Sequence, residues 1–451
     1  MSVESAHVDD SEEPYRENPK FKTWRKHVRD LYQIHCHYER TWLSRTLQFL
    51  PNARIVDSCA EQNVLSGTAT GCGEQNYVEI TTLTLPTKSN LEMRTFDPDL
   101  GEVGGFGLAP NDIQCRVTLR MFHNGDVLRA RYSPSNPNII GTCSADGLVY
   151  IFDKTEIAQT KRPNKPERPL LPTPQEPEPD SAIGKEAQMR VHQQLADFRE
   201  AMELQAQWDK QTGDSQHKLI LGLDGAAFPA PCFSMDWTTS LDSSLAACSN
   251  DQLAVWSIGH LPKQSTDRKT VQSPTQLLKI GHEINDIRFH PNDQHIIGAA
   301  LDKRGIGLFD LRTQKASDFK VDGIESGLSI DWCPHDMYVG ALGTADGAVA
   351  IFDMRNPSRA IVRLAVHREG SEVPRLSWSP HARGILATAG EDATSCVVDI
   401  GAEKVLFCHN AHLGIVEDVQ WCPHDMLAGV IGTVDSTAAC FWKPRSAFWC
   451  P

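Results

Sequence analysis

The polar and apolar positions of residues 123–153, "HNGDVLRARYSPSNPNIIGTCSADGLVYIFD", fall into three short apolar runs cut by two turn signals. "VLRARY", "NIIGTCS" and "LVYIFD" are rich in β-branched and aromatic residues and too short for helices, so they predict strands. Between them lie Ser133-Pro134-Ser135-Asn136-Pro137 and Asp146-Gly147. Proline fixes φ and lacks an N–H, and Asp-Gly accepts the positive φ of a tight hairpin turn. The stretch predicts a three-stranded antiparallel meander.

The same pattern returns along the chain. An aromatic residue followed two places later by proline recurs at Tyr132, Phe289, Trp332, Trp378 and Trp421, and the last four prolines (Pro291, Pro334, Pro380, Pro423) are 43, 46 and 43 residues apart. About a dozen residues after each proline comes an acidic turn position (Asp146, Asp302, Asp346, Asp392, Asp435), followed by a strand such as "VYIFD" or "AVAIFD". A degraded copy spans 233–257, with Trp237, Asp251 and Trp256 in place. A period in the low forties with four strands per unit is the signature of a WD-repeat β-propeller blade. The prediction is an all-β, seven-bladed propeller whose first blade comes from "TLQFLP" and the strand-like residues up to 86.

Two segments depart from the pattern. In "NPKFKTWRKHVRDLYQIHCHY" (18–38), Asn18 and Pro19 suit a helix start, and Phe21, Trp24, Val28, Leu31 and Tyr32 recur at helical spacing. The expectation is an N-terminal helix, within 18–45, packed on the side of the propeller with a basic outer surface. Residues 154–216 form an insertion between blades two and three. It begins with the Pro- and Glu-rich "KRPNKPERPLLPTPQEPEPD", unsuited to a packed core, and continues in a helical stretch where Val191, Leu195, Phe198, Met202 and Ala206 make one stripe. The expected organisation is an acidic disordered tail (1–17), the N-terminal helix (18–45), blades one and two (46–153), the insertion (154–216) and blades three to seven (217–451).

Composition narrows the function. With 40% hydrophobic residues, 451 residues can bury a large core, and one closed propeller takes up most of that length. No apolar run approaches the roughly 20 residues that span a bilayer, so no membrane partner is expected. The polar N-terminus has neither a signal-peptide nor a presequence pattern. Thirteen cysteines scattered without a small-scaffold spacing predict reduced thiols, in the nucleus or the cytoplasm. A net charge of −14 disfavours DNA binding through phosphate neutralisation and suits basic partners.

Signatures of catalysis are missing. There is no G-x-x-x-x-G-K-[ST] and no G-x-S-x-G, and "GEVGGFG" (101–107) lacks the lysine of a phosphate cradle. "WCPHD" occurs at 332–336 and 421–425, but Cys333/His335 and Cys422/His424 sit on the same turn of two non-adjacent blades, and the repeat explains both copies. His282, His367 and His412 stand at blade entries and read as structural. The sequence thus predicts no enzyme, no cofactor and no metal ligands.

The chain resembles the histone-binding WD-repeat family of retinoblastoma-binding protein p48 and the p55 subunit of chromatin assembly factor. The resemblance rests on "FKTWRKHVRDLY", "QFLP", "GEVGGFG" and "HNGDVLRARYSPSNPNIIGT", and more loosely on "LLKIGHEINDIRFHP" and "VEDVQW". It implies a non-enzymatic scaffold that holds core histones three and four within chromatin assembly, deacetylase, acetyltransferase, methyltransferase or remodelling complexes, in the nucleus. Two sites are implied. One is a side groove for a histone helix, matched by Leu31, Tyr32 and Ile34 and by Leu406, Phe407 and Cys408. The other is a top face for basic peptides, matched by Asp126, Arg129 and Glu372.

The sequence departs from the family at both sites. The acidic, proline-containing loop beside the groove is absent from "DIGAEKVLFCHNAH", and Pro231, Asn285 and Val434 replace top-face acids. The alternative reading is a divergent propeller serving a non-histone assembly, with 154–216 as its docking element.

Overall fold

In the computed structural model, the described residues are 19–56, 59–71, 74–86, 96–97, 102–103, 115–158, 217–223, 226–240, 243–260 and 271–446. Seven sheets follow one another, five of four antiparallel strands, one of five with a parallel edge strand and one of six, and their first strands touch in cyclic order, the seventh returning to the first. Those first strands are Leu47–Val56, Val127–Ser133, Ser234–Trp237, Ile284–His290, Gly327–Trp332, Arg375–Trp378 and Asp418–Trp421. The expected seven-bladed propeller is therefore present.

Alternation explains the layers. In each blade the middle strands bury both faces, and seven apolar clusters fill the spaces between adjacent sheets. The periodic aromatics join neighbouring blades. The indole Nε1 of Trp237 donates to the Arg131 carbonyl at 3.0 Å, Trp332 to Arg288 at 3.3 Å, Trp378 to Asp331 at 3.3 Å and Trp421 to Ser377 at 2.9 Å. Each bond crosses from one blade's first strand to that of the blade before it. The acidic turn positions hold hairpins: Gly147 and Gly347 follow Asp146 and Asp346 with φ of 77° and 86°. At the same place Lys303 and Ala393 take up a positive φ without glycine.

The expected N-terminal helix is corrected. Two short helices, Pro19–Arg25 and Val28–Leu31, lead into a strand, Tyr32–Glu39, which pairs with Ala438–Pro444 as the fourth strand of blade seven. The third strand of that blade would otherwise present an open edge, and seven paired residues of ladder outweigh a weak local helical periodicity. Ring closure thus joins the two ends of the chain within blade seven. The Pro-rich stretch, the helical stripe of the insertion, the acidic tail, most of "GEVGGFG" and residues 447–451 lie outside the described residues. Among the described residues, no helix is long and apolar enough to cross a membrane.

Candidate functional site

The seam where the N-terminal strand meets blades six and seven is built of rings. Tyr32, fully buried, stands edge-on to Phe407 at 5.2 Å between ring centroids, and Phe407 lies 5.7 Å from Trp442. The Tyr32 hydroxyl lies 2.7 Å from His409 Nδ1 and accepts from Trp24 Nε1 at 3.2 Å. Leu31 and Leu406 are half-buried and pack on the same cluster. The Leu31 carbonyl accepts from the Arg445 N–H at 3.1 Å, so the end of blade seven fixes the helix-to-strand corner.

Four of the six side-groove residues therefore come together: Leu31 and Leu406 at the surface, Tyr32 and Phe407 as a closed floor. The other two point elsewhere. Ile34 is buried in the separate cluster between blades seven and one. Cys408 is exposed on the opposite face of the strand Lys404–His409, its sulfur 2.7 Å from that of Cys396. The short segment "IGAEK" makes a tight hairpin within blade six, with Glu403 at a φ of 50°.

The top-face residues separate. Glu372 is exposed at the start of blade six, where burial and then Glu391 raise its carboxyl. Asp126 is occupied in holding a blade-one loop: one carboxylate oxygen accepts from the N–H of Thr70 (2.9 Å) and of Gly71 (3.2 Å) and from Asn76 Nδ2 (2.9 Å). Arg129 does not reach the face. It is fully buried, 3.5 Å from Asp286 and 3.9 Å from Asp418, and this corrects its expected role in contacting a peptide.

Arg129 belongs to a charged ring lining the inner strands, which sequence reasoning missed. Arg131 pairs with Asp418 at 2.9 Å, Arg288 lies 3.7 Å from Asp331, and Arg375 lies 3.9 Å from Asp286. The carboxylates also bridge blades through backbone: Asp236 accepts from Phe289 N–H (2.7 Å), Asp331 from Trp378 (2.9 Å) and Asp418 from Leu47 (2.9 Å). Burial opposes ionisation of Asp286, but Arg288, Arg375 and Arg129 outweigh it and hold the carboxyl well below its usual range. Asp331 has weaker partners, and burial pushes it up to about 6. Close to this ring, Glu417 is half-buried and raised by burial. Its only signal in the sequence was its position beside Asp418 in "VEDVQW".

The blade-entry histidines hold turns. His412 Nε2 lies 2.7 Å from Thr433 Oγ1 and its Nδ1 3.0 Å from Asp435, while His367 lies 2.8 Å from Thr388 Oγ1 and 3.1 Å from Asp392. His335, of the first "WCPHD", reaches the Ser379 carbonyl of the next blade at 3.2 Å, and His424, of the second, accepts from the Met426 N–H.

Comparison with known proteins agrees with this geometry. Residues 19–87 match the family model for the histone-binding protein RBBP4 and its counterpart in the CAF1 complex, and residues 114–153 match the WD domain, G-beta repeat. Over 438 residues the chain is 25% identical to the histone-binding protein MSI1 of Saccharomyces cerevisiae, covering 94% of this chain and 93% of that protein. The first match spans the ring-closing strand and the first three strands of blade one, and the second takes in the fourth strand of blade one and the first three of blade two. Over almost its whole length the chain is thus similar to a histone-binding protein, and its N-terminal segment to a histone-binding WD-repeat family.

Proposed function

We propose that the protein is a scaffold that binds histones three and four and presents them to the other components of chromatin-assembly, modification or remodelling complexes in the nucleus. The observation that carries this reading is the seam. The segment matching the histone-binding model is the one that closes blade seven and packs Leu31 on the same apolar cluster as Leu406, with Tyr32 and Phe407 buried in it. Two half-exposed leucines over a rigid aromatic base suit the apolar stripe of an amphipathic helix. With the acidic loop absent, apolar contact supplies most of the energy at this site.

Leu31→Asp with Leu406→Asp is the informative variant, because both side chains are half-exposed, whereas Phe407 is core. Binding of purified protein to the histone three–four pair should fall at least tenfold, about 1.4 kcal/mol, with unchanged thermal unfolding. Salt dependence should be shallow, since few ion pairs are screened. Tight binding untouched by the double variant, but lost in Glu372→Gln with Glu391→Gln, moves the site to the acidic end of blade six. Absence of binding at low salt rejects the histone reading.

A further inference from the structure

We propose that His35, His37, His409 and Cys440 form a zinc site that staples the closure of the ring. The ligand atoms of His35, His409 and Cys440 all lie within 4.8 Å of one another. His37 adds a fourth, its Nδ1 3.3 Å from the Cys440 sulfur. The placement follows from the topology. His35 and His37 sit two apart on the ring-closing strand, paired in register with Trp442 and Cys440 on the last strand of the chain, and His409 comes from the outer strand of blade six. Side chains two apart on a strand share a face, so both imidazoles point to one side of the sheet.

All four are donors of the kinds that zinc takes, three imidazoles and one thiolate, with no oxygen donors of the kind magnesium or calcium requires. Zinc–ligand bonds of about 2.0–2.3 Å place tetrahedral ligands roughly 3.3–3.8 Å apart. The His37–Cys440 separation is already there, and His35, His409 and Cys440 reach that spacing with about 1 Å of side-chain rotation.

His409 is oriented by the Tyr32 hydroxyl at Nδ1, and its Nε2 has no hydrogen-bond partner among the described residues. Cys440 would give its proton to water on coordination. Asp435, buried near Cys440, supplies a second negative charge against the dication. His35, His409 and Cys440 are fully enclosed while His37 is half-exposed, so His37 marks the entry path. His37 and Cys440 stand 403 residues apart in sequence, so the ion would join two distant parts of the chain.

The test uses the full chain, stripped with a chelator, given one equivalent of zinc chloride and desalted. One zinc per chain by mass spectrometry and a higher melting temperature than the stripped protein are expected. Cobalt in place of zinc should give a near-ultraviolet thiolate-to-cobalt band that Cys440→Ser abolishes and Cys408→Ser keeps. His37→Ala, at the mouth and outside the core, should weaken zinc binding at least tenfold while the stripped variant melts like the stripped parent. That variant decides the matter if Cys440→Ser does not fold. Natively folded protein that takes up no zinc, or a cobalt band that survives Cys440→Ser, overturns the proposal.

Discussion

Asp286 and Asp331 occupy neighbouring blades of the same ring and respond to pH in opposite senses. Asp286 is held below its unfolded value, so its stabilisation is present at neutral pH and is lost on acidification below about pH 4. Asp331 is raised from 3.8 to about 6, so between those values the folded chain holds the extra proton and stability falls as pH rises. Asp331→Asn keeps an acceptor for the Trp378 N–H and removes this titration. Relative to the parent, it should gain about 1–3 kcal/mol between about pH 4 and 7, read from melting curves across that range. Asp418→Ala is the converse case. It leaves Arg131 without its 2.9 Å partner and Leu47 N–H without an acceptor, and should cost about 3–5 kcal/mol in urea unfolding.

The first strand of each blade is the element that transmits order round the ring. In five of the blades its tryptophan or phenylalanine fills the space between two sheets, and each tryptophan ties its indole N–H to the strand before it. Trp421→Ala should cost about 3–5 kcal/mol through the cavity it leaves. Trp421→Phe, which keeps most of the volume but loses the bond to Ser377, should cost about 1–2 kcal/mol. Equal losses in chemical denaturation would mean that the hydrogen bond, and not the cavity, carries the cost. Phe289 occupies the equivalent place in blade four without an N–H, which is why the aromatic, and not the indole, defines the repeat in the sequence.

For the whole molecule, stability depends on joining the two ends of the chain. Removing residues 1–45 deletes the fourth strand of blade seven and bares the ladder of Ala438–Pro444, along with the aromatic floor of the seam. Size-exclusion chromatography should then show aggregates in place of the compact species, because an unpaired apolar edge templates association. Compact, soluble protein after this deletion would show that the ring closes without the strand.

The sequence by itself determined the repeat, the seven blades and the aromatic positions between them, because strand alternation and turn chemistry are local and recur with a period. That Leu31, Tyr32, Leu406 and Phe407 gather on one cluster accords with the family resemblance, and the hydrogen bonds of His367 and His412 accord with their place in the blade. Only the tertiary structure decided the rest. Whether Tyr32–Glu39 is helix or strand depends on a ladder partner at the far end of the chain, Ala438–Pro444. Ile34 and Cys408 face away from the seam because the pleat alternates. Arg129 is buried because charges from several blades converge on one axis. None of these is encoded at short range: each is settled by the free energy of pairing a strand edge, filling a core or neutralising a buried charge, and those terms exist only once the ring is closed.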